Sequence, residues 1–295
     1  MQQIQWQDRF SIGVEIVDQA HRRLFAIVQK IMDLYIEKHE DQFACVEGIK
    51  YFRAYAVKHF AEEEEYMRQI GYAGYQSHKR HHDRMKRETL PALERELYET
   101  NFSTRAVQRF IGVCTGWLTG HIMIEDRAIV GKGAGEFGPV RPGDELSAIQ
   151  AAFLRPLQEM FGGGVQFIGA FAPGDAIPEA QYYQAIYQGR GRLLRFELAI
   201  GEGQLLYAAG LVFGLEFDAR DEIVRFAMQE IAQSLLQRAE TVFGEEVDAY
   251  QLKEDRFLER EEYERLFREK KPWHSLLFSG PHGCFAICID RFSLS

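Results

Sequence analysis

The chain has 295 residues and a net charge of −9 at pH 7, and 46% of its residues are hydrophobic. This length suits two domains that each bury a core, while the composition excludes a largely disordered protein and the acidic charge argues against a nucleic-acid partner. Neither a signal peptide nor an apolar run of 18 residues is found, which predicts a cytoplasmic protein with no membrane partner.

Residues 1–130 are predicted to form four helices. Apolar residues recur at close to a 3.6-residue period from Leu24 to Tyr35, and this marks the first helix. The other three are predicted over residues 43–70, 75–98 and 103–130. Ser103 is the predicted N-cap of the last helix. Long helices with short connections favour an all-α, up-down-up-down four-helix bundle.

Histidines and carboxylates recur on these helices at spacings that place them together. His59 and Glu63 are four residues apart, as are His78 and His82, so each pair shares one helical face. The first and last helices add His21 and His121, and Asp126 follows His121 in the last helix. In a bundle core without a metal ion, such groups would leave costly unsatisfied polar atoms. The pattern therefore predicts a metal centre.

The ligand types narrow the choice of metal. An imidazole-rich set favours iron, copper, nickel or zinc over magnesium or calcium. One tetrahedral zinc takes four ligands, fewer than the sequence offers, whereas two irons bridged by two carboxylates would use every ligand. No histidine follows a glutamate by three residues, so the ferritin-like type of di-iron site is disfavoured.

Five motifs in this region resemble bacterial hemerythrin. They are Trp6-x-Asp8-x-Phe10-Ser-Ile-Gly-Val, Asp18-x-x-His21, His59-Phe-x-x-Glu63-Glu64, His78-x-x-x-His82 and Trp117-Leu-x-x-His121-Ile-x-x-x-Asp126. The resemblance implies a four-helix bundle that binds O2 reversibly at two non-haem iron ions, which are bridged by carboxylates and by an oxo or hydroxo group.

The resemblance also implies a role for each ligand. One iron would be held by His78, His82 and His121. The other would be held by His21 and His59. Glu63 and Asp126 would bridge both ions. The five-residue step from His121 to Asp126 does not follow from same-face helical spacing and is taken from the resemblance alone.

Reversible O2 binding also requires a dry pocket, because excess water would consume the bound ligand. Side chains one helical turn from a ligand are the candidate walls. They are Phe25, Tyr55, Trp117 and Leu118. Ordinary bundle core is the alternative interpretation for each of them.

A Gly- and Pro-rich stretch, residues 131–145, is the predicted linker to a second domain. Residues 146–295 are predicted to form an α+β domain with a mostly antiparallel sheet. Its predicted helices are 146–161, 203–213, 218–242 and 256–268. Its predicted strands are 165–171, 182–187, 193–200, 247–252, 274–278 and 284–289.

This second half resembles the chemotaxis phosphatases of the CheC/CheX type. The resemblance lies in Phe196, Gly214-Leu-Glu-Phe-Asp218, Glu230-Ile-Ala-Gln233 and the final Gly-x-Phe-x-Ile-x-Ile hairpin. In that family a helix presents Glu-x-x-Asn to a phosphorylated response regulator, which implies that Glu230 and Gln233 form the catalytic pair here. Because glutamine replaces asparagine, an inactive docking domain and a homodimerisation domain stay open as alternatives.

Three functions follow as hypotheses. The leading one is an oxygen sensor whose di-iron bundle reports O2 to response-regulator signalling of the chemotaxis kind. The second is an O2 carrier or store with a dimerisation domain. The third is a di-iron enzyme that turns over peroxide or nitric oxide.

Overall fold

The computed structural model describes residues 4, 6–37, 42–131, 145–172, 177–189, 192–214, 218, 221–240, 250–269 and 272–293. These residues form two compact units. The first unit joins the residues described before position 136 to Val212–Ile231, and the second holds those from 136 to Leu211 and from Ala232 onward. The predicted linker lies outside the described residues except at its two ends.

Four helical rods build most of the first unit, as the sequence predicts. The first two are α1, Glu15–Glu37, and α2, Gln42–Gln69. The third consists of α3, Tyr75–Arg84, a π-helical segment Met85–Thr89, and α4, Leu90–Glu99. The fourth consists of α5, Thr104–Gly120, a π-helical segment His121–Asp126, and α6, Arg127–Ile129. The four-helix bundle is confirmed.

Local interactions set where these rods begin and turn. The Ser103 hydroxyl accepts a hydrogen bond from the Ala106 amide at 3.3 Å, which confirms Ser103 as the N-cap of α5. Gly71, with φ of +66°, lies in the connection between α2 and α3. At the N-terminus, the Asp18 carboxylate accepts hydrogen bonds from the Ile12 and Gly13 amides at 2.9 and 3.1 Å. Asp18 thereby fixes the chain that leads into α1.

The second unit is built on a six-stranded sheet. The strands are β1, Gln166–Gly169; β2, Ala180–Gly189; β3, Arg192–Gly201; β4, Gln251–Leu258; β5, His274–Gly280; and β6, Gly283–Ser293. Their order is β1-β5-β6-β3-β2-β4, and every neighbouring pair is antiparallel. The predicted α+β class with an antiparallel sheet is confirmed.

Four further helices accompany the strands. They are α7, Glu145–Phe161; α8, Glu202–Phe213; α9, Glu222–Glu240; and α10, Arg260–Glu269. Phe153 of α7 stacks on Phe196 of β3, with ring centroids 6.4 Å apart. Tyr263 of α10 stacks on Tyr182 of β2 at 4.5 Å. Helices therefore contribute to the hydrophobic core against the central strands. The first ten residues of α9 belong to the first unit.

One predicted boundary in this unit is wrong. The sequence places a strand at 247–252 and a helix from 256, whereas the strand runs over Gln251–Leu258 and the helix starts at Arg260. Residues 247–249 lie outside the described part of the chain. β4 is an edge strand paired only with β2, and edge strands commonly carry charged side chains. The charged residues of β4 therefore give this strand the composition of an exposed helix, which is why the sequence predicts a helix that begins too early.

Within the described residues, no helix combines the length and the apolar character needed to cross a membrane.

Candidate metal centre

The four rods of the bundle bring all seven predicted metal ligands into its interior. Each of the seven side chains is buried, with residue exposures between 0% and 3%. Their positions are His21 in α1, His59 and Glu63 in α2, His78 and His82 in α3, and His121 and Asp126 in the π-helical segment that continues α5. They form two groups able to hold a metal ion, and both groups contain Glu63.

The first group is Glu63, His78, His82 and His121. The Nε2 atom of His82 lies 3.2 Å from that of His78 and 3.0 Å from that of His121. Two nitrogens bound at ~2.1 Å to one ion, at right angles to each other, would be ~3.0 Å apart. Glu63 Oε2 lies 3.2 Å from His82 Nε2. The three imidazoles are therefore spaced as ligands of a single ion.

The second group is His21, His59 and Glu63. The imidazole rings of His21 and His59 lie nearly perpendicular, with centroids 4.6 Å apart. Glu63 Oε2 is 3.8 Å from His59 Nε2. This group offers two imidazoles where the first offers three, so the two metal positions are not equivalent.

Asp126 lies against members of both groups. Its Oδ1 atom is 3.0 Å from His121 Nε2 and 3.4 Å from His78 Nε2, while its Oδ2 atom is 3.2 Å from His21 Nε2. His121 and Asp126 are the first and last residues of the π-helical segment. In a π-helix the hydrogen bonds run from i to i+5, so residues five apart lie one above the other. This geometry accounts for the spacing that an α-helix cannot explain.

The polar atoms of this centre fit bound cations. Among the described residues, both carboxylate oxygens of Glu63 and of Asp126, and both ring nitrogens of His21, have no hydrogen bond of acceptable geometry. Buried polar groups are otherwise almost always hydrogen-bonded, and leaving them unpaired costs free energy. Metal coordination would satisfy these atoms.

The protonation states also suit metal binding, which requires ionised carboxylates and neutral imidazoles. Burial opposes ionisation, but the imidazoles of His78 and His82 hold the pKa of Glu63 well below its usual value. Burial lowers the pKa of His59 to about 3 and also lowers that of His121. His78 differs, because Glu63 beside it outweighs burial and raises its pKa to about 9.

Aromatic rings pack on three of the imidazoles predicted to bind metal. Phe60 stacks on His82 at a centroid distance of 4.3 Å and an angle of 14°. Trp117 stacks on His121 at 4.3 Å and 13°. Trp6 lies 6.3 Å from the His21 ring at 26°. Trp6 and Phe60 were not predicted as site residues, although both occur in the motifs that resemble hemerythrin.

Glu64 is a further site residue that was not predicted from the sequence. Its Oε1 atom lies 3.3 Å from His82 Nδ1, on the side of the ring away from Nε2. Burial opposes ionisation of Glu64, but His82, Lys86 and Lys79 lower its pKa. An outer carboxylate of this kind fixes the tautomer and orientation of a metal-binding imidazole.

The four predicted pocket residues have different surroundings. Phe25 and Leu118 are buried, and the Phe25 ring stacks on Phe10 at 5.0 Å. Trp117 contacts the centre directly through His121. Tyr55 is half-buried, and its ring lies beside the exposed Tyr51 at 6.2 Å. The assignment of all four to an O2 pocket stays a prediction.

The predicted phosphatase pair lies on α9. Gln233 is 8% exposed, and its amide donates to the Tyr183 hydroxyl at 3.2 Å and to Asp255 Oδ2 at 3.3 Å. Glu230 is half-buried. Residues 215–217 of the motif that ends at Asp218 lie outside the described residues. The catalytic role of the pair stays a prediction.

Comparison with known proteins identifies relatives of the first part of the chain. The family model of the hemerythrin HHE cation binding domain matches residues 12–132. The bacteriohemerythrin of Clostridium acetobutylicum is 29% identical over 131 residues, which are 42% of this chain and 97% of that protein. The myohemerythrin of Theromyzon tessulatum is 30% identical over 128 residues, which are 43% of this chain and 92% of that protein.

Among solved structures, the chain is similar to two chemotaxis proteins. The chemotaxis protein CheX from Vibrio vulnificus has a TM-score of 0.39 and 12% identity, and the match covers 51% of this chain and 100% of that one. The CheX-CheY-BeF3-Mg+2 complex from Borrelia burgdorferi has a TM-score of 0.38 and 14% identity, with 52% and 99% covered.

Proposed function

Because the chain belongs to the hemerythrin family through residues 12–132, we propose that it binds O2 reversibly at two non-haem iron ions and acts as an oxygen sensor. The observation that supports this best is the pair of buried ligand groups that share Glu63. A single metal site would leave either the two imidazoles of α1 and α2 or the three of the other group without an ion.

Each side chain has a defined task in this proposal. His78, His82 and His121 would hold one iron, and His21 and His59 would hold the other. Glu63 and Asp126 would serve both ions, since each lies against imidazoles of both groups. When bound, the iron pair supplies a reversible affinity for O2.

The unequal ligand sets favour O2 binding on the side of His21 and His59. Three imidazoles would hold the first iron and two the second, so the second would keep room for a small ligand. Trp6 stacks on the His21 ring and Phe25 lies edge-on to Trp6 at 6.1 Å, so apolar surface lies on the His21 side of this position. Their task is to exclude water from the ligand, which favours reversible binding over turnover.

The second unit favours sensing over storage, because a store has no evident use for a six-stranded sheet domain. We place the chain in the cytoplasm and propose that this unit binds a phosphorylated response regulator, with Glu230 and Gln233 facing the partner in its active state. This part of the proposal is supported by the sequence resemblance of the Glu-x-x-Gln helix. Phosphatase activity and homodimerisation are further outcomes that the experiments below distinguish.

The first test is the iron content per chain, measured with the visible spectrum of the reduced protein before and after exposure to O2. We expect two irons and an absorption band that forms with O2 and disappears when O2 is removed. Two irons with a band that decays as product accumulates would indicate peroxide or nitric oxide turnover instead. A chain purified from iron-supplemented cells without iron would refute the metal assignment.

A second test addresses the signalling partner. The affinity of the chain for a response regulator, phosphorylated with a small phosphodonor, is measured with and without O2, and dephosphorylation is followed in the same samples. A sensor changes its affinity or its phosphatase rate with O2, and the metal-free protein serves as the control. Equal values in both conditions would indicate a carrier or store.

A further inference from the structure

Two glycines on α5 admit the backbone of α9 at very short range, and all the residues involved lie within the first unit. A Cβ atom on Gly112 would lie 2.5 Å from the Ile223 carbonyl oxygen and 2.8 Å from Phe226 Cβ. A Cβ atom on Gly116 would lie 2.7 Å from both the Cα and the carbonyl oxygen of Ala227. Backbone atoms cannot rotate away as a side chain can. The backbone of α9 can therefore approach α5 this closely only because residues 112 and 116 are glycines.

The charged groups around this contact stabilise it less than the close packing at the two glycines does. The Arg105 guanidinium lies 3.4 Å from Glu222 and 5.8 Å from the Phe226 ring centroid, and Arg109 lies over the same ring at 5.7 Å. The Arg105 side chain is 71% exposed, so solvent screens its ion pair. The glycine contacts, rather than these charges, therefore define where α9 docks.

The same α5 helix is connected directly to the metal centre. Gly116 is followed by Trp117, whose ring stacks on His121, and the helix continues through His121 to Asp126. In the proposed function O2 binds on the side of His21 and His59. Asp126, whose Oδ2 atom lies 3.2 Å from His21 Nε2, belongs to the segment that continues α5, so a shift of Asp126 would be transmitted along this closely packed helix. The Gly116 contact lies little more than one helical turn from His121, where that segment begins.

On the α9 side, the contact with α5 determines the position of Glu230. Ala227 and Glu230 are three residues apart on α9 and so lie on the same face. Burial raises the pKa of the Cys114 thiol on α5, and the Glu230 carboxylate adds to this effect, which locates Glu230 near α5. Docking at Gly116 therefore keeps Glu230 turned towards the bundle.

We propose that the docking of α9 on Gly112 and Gly116 is an autoinhibitory contact that withholds Glu230 from the response-regulator partner until O2 binds at the metal centre. This inference rests on the proposed sensor function and identifies its regulatory element. Gly112 and Gly116 act as positioning residues, since neither touches a metal ligand or the partner.

Hydrogen exchange resolved by peptide, on the full iron-loaded chain with and without O2, tests the proposal. In the wild-type protein we expect the amides of 222–231 to exchange about tenfold faster with O2 bound, because the helix is released. Gly116→Ala should make exchange fast in both states while the O2-dependent absorption band is retained. Gly48→Ala is the matched control, because its Cβ atom meets only the flexible Ile31 side chain, at 3.0 Å.

Phe226→Ala tests the contact from the α9 side without altering α5, and it also keeps the proposal testable if Gly116→Ala fails to fold. We expect fast exchange over 222–231 in both states and partner binding that no longer depends on O2. A wild-type protein with a reversible band but equal exchange in both states would overturn the inference alone. Absence of a reversible band would overturn the proposed function and, with it, the role of this contact.

Discussion

Glu63 is the residue on which both metal groups depend, because its Oε2 atom approaches imidazoles from each of them. We expect Glu63→Gln, which keeps the shape but removes the charge, to reduce iron from two per chain to about one or none and to lower the free energy of unfolding, since metal binding contributes to folding. Iron analysis and denaturant titration measure both effects.

The neighbouring Glu62→Gln is the matched control for that variant. Glu62 is exposed and lies 3.6 Å from Lys58, so its replacement should leave both the iron content and the stability nearly unchanged. Two irons per chain in Glu63→Gln would contradict its assignment as a bridging ligand.

The pKa values of the buried histidines predict a pH optimum for the metal-free protein. The pKa of His78 is raised from 6.5 to about 9. The stability that its protonation contributes to the fold is therefore fully present below pH 6.5 and is lost as the pH rises through 9. The pKa of His59 is lowered from 6.5 to about 3, so stability falls as the pH decreases below 6.5. We expect maximal stability near pH 6.5, measured by denaturant unfolding of the metal-free chain.

His78→Gln provides the control for this pH dependence. Without the imidazole, the decline in stability between pH 6.5 and pH 9 should disappear, whereas the decline at acid pH should remain. An unchanged alkaline decline would show that another group causes it.

Six of the seven side chains that meet in the buried groups could be predicted from helical spacing together with the motif resemblance, and Asp126 from the resemblance alone; the comparisons confirm the resemblance to hemerythrin. The residues that surround these side chains could not be predicted from the sequence. Glu64 belongs to an acidic run, Glu62 to Glu65, that has the composition of a solvated face. The orientation of α2 about its own axis in the bundle buries Glu64 against His82 and leaves Glu62 and Glu65 exposed.

At the scale of the elements, the sequence predicts the ends of the last three bundle helices to within one residue, whereas α1 begins at Glu15, well before the periodic residues that start at Leu24. The sequence does not reveal the π-helical turns. Neither Met85–Thr89 nor His121–Asp126 differs in composition from an α-helix. The i to i+5 hydrogen bonds of these turns therefore leave no signal in the local sequence.

The cap of α5 offers a stability test independent of the metal. Ser103→Ala removes the acceptor of the Ala106 amide and should lower the free energy of unfolding by about 1 kcal/mol. Iron content should stay at two per chain. Thr104→Ala, at the next and equally exposed position, is the control, and a larger loss there would contradict the capping role of Ser103.

At the scale of the whole molecule, the sequence and the structure divide the chain differently. Composition predicts a single domain boundary at residues 131–145. In the structure, however, Val212–Ile231 belongs to the same compact unit as the residues of the bundle. The reason lies in Gly112 and Gly116, whose missing side chains admit α9. A glycine in a helix can mark flexibility, a bend or a close contact, and the sequence does not distinguish among these.

Metal removal should affect the two units unequally. Chelating the iron removes the ions that satisfy the buried carboxylates of Glu63 and Asp126, so the first unit loses stability. We expect calorimetry of the metal-free chain to show its unfolding transition at a lower temperature, while the transition of the six-stranded sheet shifts less. Equal shifts of both transitions would indicate that the chain unfolds as one cooperative body.

The π-helical segment His121–Asp126 has a consequence for protein engineering. Designed bundles are usually assembled from ideal α-helices, in which a histidine and an aspartate five residues apart point in different directions. Grafting these seven side chains onto such a scaffold would therefore misplace the Asp126 carboxylate, however well the other six were matched. A functional graft must carry the inserted residue in its fourth helix, so the backbone irregularity is itself part of the binding motif.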